Sequence, residues 1–239
     1  MKIKSVVLAG LTGVLFSTMG FSQNGTPSSK AAAAINTLTV CANSNSTANV
    51  PCTNQSNEGV WLDVMQTTIK TSNVADLFGG VSLVTGLYTN TNVKGNNTGA
   101  ASTSVAQGTV QVRLLIDNTP GLGFPDTTGD GVIFDQRIQT LTANIGNVFS
   151  DCFANGGTTG TGCVLTPQEI TLVLDTTAAH SFNFLFSNVG TGLHTLRVQA
   201  IVSTSTTGTD PGNVAVANAL FGLGSLTLDA VKLVNSFSF

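Results

Sequence analysis

The side chains able to move a proton are few. The chain carries two histidines, His180 and His194, and twelve acidic residues. A serine or cysteine hydrolase needs a base beside its nucleophile, and no G-x-S-x-G elbow stands in this sequence. His194 shares parity with Leu196 and Val198, which points it inward at the start of a strand, as a hydrogen-bonded histidine at a sheet edge. His180 precedes an alternating phenylalanine run and reads as a turn or strand-entry residue. A glycoside hydrolase needs two carboxylates flanking the scissile bond. The glutamates are Glu58 and Glu169, and Asp63, Asp117, Asp135 and Asp175 fall at or near strand ends. No two of these acids stand at a telling spacing, so no catalytic residue is assigned.

The acids offer a metal chemistry as well. Asp126-Thr127-Thr128-Gly129-Asp130-Gly131 matches the opening of a calcium loop, with Asp at positions one and five and the sharp-turn glycine at six. Position three is Thr, and the twelfth is Arg137 where a bidentate Glu would stand. Asp117 and Asp135 flank the loop and could add oxygens in another geometry. The candidate cation set is therefore Asp117, Asp126, Asp130 and Asp135, against the plain-turn reading that Asp and Gly favour anyway.

Sugar rings present apolar faces to aromatic platforms. The single Trp and single Tyr, Trp61 and Tyr88, are the candidate ligand contacts. Trp61 lies in GVWLDVM with Val60, Leu62 and Val64 on the opposite parity, which equally suits packing at a sheet edge. Sequons at Asn24, Asn45, Asn54 and Asn96 matter only in a host that glycosylates them.

These residues must be held by elements of period two. Val110, Val112, Leu114 and Ile116 alternate with Gln111 and Arg113. Phe182, Phe184 and Phe186 alternate with Ser181, Asn183 and Leu185. Leu196, Val198, Ala200 and Val202 alternate with Thr195, Arg197, Gln199 and Ile201. Such alternation sets one face in a core and one in water. Ten strand starts are legible, near Asn36, Gly59, Gly80, Gly108, Arg137, Glu169, Ser181, Leu193, Val214 and Ser225, separated by Gly-, Asn- and Thr-rich turns. A phase shift near Ala230 suggests a bulge, and short helical turns fit Asn73–Phe78 and Thr166–Glu169. The expectation is all-β, a two-sheet antiparallel sandwich of nine to ten strands, jelly-roll-like or immunoglobulin-like.

Cys41, Cys52, Cys152 and Cys163 form two pairs with ten residues between the members of each. Local bridges Cys41–Cys52 and Cys152–Cys163 follow, each closing a turn-rich loop and stabilising by roughly 2–3 kcal/mol in the chain-entropy model. A zinc site would need closer spacing or neighbouring histidines.

Compartment follows from the N-terminus. Lys2 and Lys4 precede an apolar run, Ser5–Phe16, too short to span a bilayer. The run then turns small and polar, and a small-x-small pair places cleavage after Ser22. Residues 1–22 read as a signal peptide, 23–35 as a flexible lead-in, and 36–239 as one β domain. The destination is outside the cell or at its surface, with the periplasm as the other compartment in which disulfides persist.

Only 9% of residues are charged, against about 25% typically. Losing Lys2 and Lys4 takes the basic count from 9 to 7 against 12 acids. No basic patch exists to bind nucleic acid or an anionic membrane, and the mature chain has no transmembrane segment. The ending Asn235-Ser236-Phe237-Ser238-Phe239 puts two phenylalanines on one face of a terminal strand, to be covered internally or by another copy.

The segments IKTSNVADL (69–77), GVSLVTGLYTNT (80–91), AAHSFNF (178–184) and GLHTLRVQA (192–200), in that order, resemble a group of uncharacterised microbial proteins. The resemblance spans most of residues 60–235 and implies no catalytic residue. GLHTLRVQA is also similar to the G-x-H-T-x-x-V-x-A strand of extracellular immunoglobulin-like modules.

The reading that results is a secreted or surface-exposed, non-enzymatic β-sandwich with a structural or interaction role. Its partners would be cell-envelope material, extracellular polysaccharide or further copies of itself. The alternatives are a carbohydrate-binding module and a secreted hydrolase with a divergent carboxylate site.

Overall fold

The fold is that of a computed structural model, which describes residues 30–37, 39–43, 59–95, 100–119, 125–126, 128–145, 147–150, 164–209 and 212–232. The predicted signal peptide, three of the four cysteines, the sequon asparagines and the C-terminal phenylalanines lie outside the described residues.

The chain forms β1 (Ala31–Asn36), β2 (Val40–Asn43), β3 (Leu62–Thr71), β4 (Ala75–Lys94), β5 (Ser102–Ile116), β6 (Val132–Ala143), β7 (Asn147–Ser150), β8 (Val164–Pro167), β9 (Glu169–Val189), β10 (Gly192–Gly208) and β11 (Ala215–Val231). They build two antiparallel sheets plus the separate β7–β8 hairpin. The first sheet runs β1-β11-β4-β9, with β2 continuing beside β11, and the second runs β3-β10-β5-β6. The all-β, two-sheet sandwich is as the alternation predicts. Among the long strands, β5 and β6 alone are chain neighbours within a sheet; the other connections cross between sheets.

The predicted inward positions meet between the sheets. Val110, Val112, Leu114, Leu196, Val198, Ala200 and Val202 are all buried, as are Phe184 and Phe186. The β5 and β10 residues among them face Val81, Leu83, Leu87, Phe221, Leu226 and Leu228 of the first sheet, to which Phe184 and Phe186 of β9 also belong. The outward partners Gln111, Arg113, Arg197 and Gln199 keep contact with solvent.

Several local expectations are corrected. Ala31–Ile35, placed in the lead-in, form most of β1. Pairing with β11 over Ser225–Asp229 satisfies one row of their backbone groups. The helical turns at 73–78 and 166–169 do not form; β4 takes up residues 75–78, β8 ends at Pro167 and β9 begins at Glu169. Starts expected at Glu169 and Ser181 belong to one strand, as do those at Val214 and Ser225. The bulge expected near Ala230 lies instead at Gly222–Gly224, where Leu223 adopts φ 33. Thr39, just before β2, lies against Gly222 at that shift.

Candidate functional site

Three groups of polar side chains link elements far apart in sequence, and they gather most of the residues singled out above.

The first is a clasp at one end of the sandwich. Ile116 leads into Asp117 and Asn118, both left-handed, at φ 50 and 65, and Thr119 N donates back to Ile116 O at 2.8 Å. Asp and Asn are the side chains that tolerate this conformation, as in a type I′ turn. Asp117 Oδ1 accepts from Thr195 N at 2.9 Å, and its Oδ2 lies 2.8 Å from His194 Nδ1. His194 Nε2 lies 2.9 Å from Gly190 O in the β9–β10 connection. Both ring nitrogens therefore face acceptors, which suits the doubly protonated imidazolium. Burial, the largest single influence on His194, opposes its charge. The Asp117 hydrogen bond, the Gly190 hydrogen bond and the attraction of Asp117 together outweigh it and raise the pKa. Asp117 likewise meets a burial penalty as its largest influence, outweighed by His194 and the Thr195 amide, and its pKa is lowered. His194 is inward and hydrogen-bonded at the start of its strand, as its parity predicts, but β10 lies between β3 and β5 and not at the expected sheet edge.

The second is a seam along one flank. Asp135, Arg137 and Gln139 occupy alternate positions of β6, opposite Val110, Gly108 and Ala106 of β5, and so face the other sheet. Asp135 Oδ2 accepts from Thr85 Oγ1 at 2.5 Å and lies 3.3 Å from His180 Nε2. Arg137 donates to Leu87 O at 2.9 Å and Leu174 O at 3.2 Å, and also to Thr176 Oγ1. Gln139 donates to Thr91 Oγ1 and Leu172 O, both at 2.7 Å, and accepts from Thr89 Oγ1 at 2.6 Å. His180 lies in β9, with Phe134 edge-on to its ring. In this arrangement the carboxylate sits between the hydroxyl and the imidazole. A nucleophile needs the base between itself and the acid, so Thr85 has no base of its own here.

The third lies on the outer face of the second sheet. In register, Asp63 of β3, Gln199 of β10 and Arg113 of β5 form one row. Gln199 bridges them, donating to Asp63 Oδ1 at 2.7 Å and accepting from Arg113 Nε at 2.8 Å. Arg197, two residues along β10, pairs with Asp63 at 3.2 Å. The Arg113 guanidinium lies 4.3 Å above the Trp61 ring and donates to Gly129 O at 2.7 Å. Gly131 stands against the edge of that ring, at φ +81, where an added Cβ would lie 2.5 Å from Trp61 Cη2.

The four aspartates of the predicted cation set are thus distributed. Asp117 belongs to the clasp and Asp135 to the seam. Asp126 is buried and accepts from Gly129 N at 2.8 Å, closing the turn itself. Asp130 is exposed. The positive charge next to this loop comes from Arg113. No group of three or more His, Cys, Asp or Glu side chains among the described residues could hold a metal ion.

Trp61 and Tyr88 are not brought together. Trp61 lies at the entry to β3, with Arg113 over its ring, while Tyr88 lies on the outward parity of β4 in the other sheet, opposite Asn218 and Asp175. Among the described residues no cysteine is free. Sequence reasoning assigned no role to Arg113, Arg197 or Gln139. The parity of the two arginines was legible, but their cross-strand partners depend on register.

No family model and no curated protein matches the chain. Among solved structures, it is matched to "Structure of infectious bursal disease virus Gx strain" at 12% identity and a TM-score of 0.11. That alignment covers 85% of this chain and 40% of that one. A superposition that loose bears on neither fold nor function.

Proposed function

We propose that this chain is an exported, non-enzymatic β-sandwich that works by binding, at the cell surface or outside the cell. The observation that carries the reading is the use made of the reactive side chains. His194 and Asp117 hold two connections together, and Asp135 ties β6 to β4 and β9. These groups serve as braces, and Thr85, the hydroxyl beside Asp135, is fully buried. The export signal, the paired cysteines and the Thr- and Asn-rich composition support a location outside the cytoplasm.

The carbohydrate-binding alternative draws support from the outer face of the second sheet, where amide, hydroxyl and guanidinium groups stand in register. The Arg113 stack makes Trp61 a support for that face more than an open platform.

The test is retention of the mature protein, starting at Gln23, on the producer's own envelope and extracellular polysaccharide. Saturable retention without release of reducing sugar or peptide is the expected result. Turnover of either material would overturn the non-enzymatic reading, and failure to bind both would overturn the binding role.

A further inference from the structure

The chain contains three arginines, Arg113, Arg137 and Arg197. Arg137 is spent in the seam. The other two stand on the same outer face, on adjacent strands and one diagonal step apart, because Gln199, the register partner of Arg113, is two residues from Arg197. Diagonal neighbours on one face are separated by roughly 7–8 Å, a gap that a carboxylate can bridge.

Both guanidiniums are oriented before any ligand arrives. The Trp61 ring, the Gln199 side chain and Gly129 O fix the plane of Arg113. Asp63 fixes Arg197, and Gln199 in turn fixes Asp63. A guanidinium has five donors. These contacts take two on Arg113 and one on Arg197, and Arg197 Nε is buried, so the donors Arg197 can offer are the remaining ones on its two Nη groups. Side chains held this way lose little entropy on binding, and an arginine fork suits a planar carboxylate in a way a lysine does not.

Arg113 and Arg197 share this face with Asp63, and Asp126 and Asp130 lie in the adjoining loop. Around the arginines on this face stand Gln66, Gln111 and Thr195, amides and a hydroxyl that both donate and accept, together with the apolar Leu115, the buried β5 partner of Arg197, and Ile201 opposite Gln111. A protein partner would be expected to meet exposed aromatic anchors, and the nearest aromatic ring already carries Arg113.

We propose that the Arg113–Arg197 pair on the outer face of the second sheet binds the carboxylates of an acidic, uronate-bearing polysaccharide, with Gln66, Gln111 and Thr195 meeting the flanking hydroxyls. This rests on the reading of the chain as a binding domain and gives that domain a ligand class.

The experiment is affinity electrophoresis of the mature protein through gels containing polygalacturonate, neutral dextran or poly-L-glutamate, at low and high salt. Retardation by polygalacturonate alone, relieved by salt, is the expected result. Arg197→Gln should weaken it at least about tenfold, as expected for a lost charge-assisted hydrogen bond. Arg197→Lys should recover only part of the affinity, and both variants should melt as the parent does. Absence of retardation by polygalacturonate would overturn the proposal, as would retardation indifferent to Arg197→Gln. Equal or stronger retardation by poly-L-glutamate would overturn it in favour of an acidic protein partner. Retention on envelope material reads the broader binding role separately, so the two can fail independently.

Discussion

Gln139 Nε2 donates to the carbonyl oxygen of Leu172 across 2.7 Å, from the edge strand of one sheet to the edge strand of the other. Arg137 does the same for Leu174 O. An edge strand normally presents a row of unpaired backbone groups that invites association. Here two carbonyls of the β9 edge are capped by side chains of β6, along a stretch whose Ile170, Leu172, Val173 and Leu174 remain substantially exposed. The seam thus braces the two sheets and blunts an apolar edge.

Gln139→Ala removes the partner of Thr89, Thr91 and Leu172 O together. Buried polar groups left without partners cost about 1–3 kcal/mol each, with relaxation and water recovering part. Urea denaturation should show a loss of about 2–3 kcal/mol, and sedimentation should show increased self-association through the uncapped edge. A variant as stable and as monomeric as the parent would refute the role of the seam.

The clasp predicts a pH dependence with a definite sign. His194 has a raised pKa, so its contribution is complete below the ordinary value of 6.5 and is lost as pH rises through the folded value. Asp117 has a lowered pKa, so its contribution is complete above 3.8 and is lost as pH falls through its folded value. The pair is fully engaged between those limits. Asp117 is half exposed, which keeps the effect below about 1 kcal/mol. Histidine chemical shifts followed through a titration should place His194 above 6.5, and His194→Gln should flatten the stability profile on its alkaline side. A His194 titrating below 6.5 would contradict the clasp.

Gly131→Ala should be costly for two reasons, the positive φ and the clash with Trp61. A loss of about 2 kcal/mol or more is expected. Trp61 is the only tryptophan, so its fluorescence should shift to the red as the ring is displaced. An unchanged emission maximum would show that the ring is not held against the loop.

Calcium gives a plain test of the Asp126–Asp130 loop. With Arg113 on Gly129 O and Asp126 on Gly129 N, the turn is closed by the chain's own groups. Thermal melting in millimolar calcium and in chelator should coincide. A calcium-dependent rise would establish the loop as a cation site, since a ligand specific to the native state adds about 2.7 kcal/mol at a hundredfold excess over its dissociation constant.

The cysteine spacing predicts Cys41–Cys52 and Cys152–Cys163. Mass mapping of a non-reduced digest should recover those two linkages, and a bridge joining the two pairs would overturn the assignment.

Much of this architecture is a property of the sequence alone. Alternation in β5, β9 and β10 is a local code, since successive side chains point to opposite faces wherever a strand is placed. The sandwich class, the inward Val110, Leu196 and Phe184, the outward Arg113 and Arg197, and the inward His194 all follow from it. The fate of Ala31–Ile35 does not, because alanine has no strong local preference for a strand and only the open edge of β11 makes one of it. Arg137 and Gln139 were equally illegible. Nothing in their local pattern shows that β9, thirty residues on, would bring its free carbonyls within their reach. The same limit separates Trp61 from Tyr88, unites Arg113 with Arg197, and divides the four aspartates among clasp, seam and loop. Which side chain meets which across strands depends on register and sheet order, set by the packing of the whole chain.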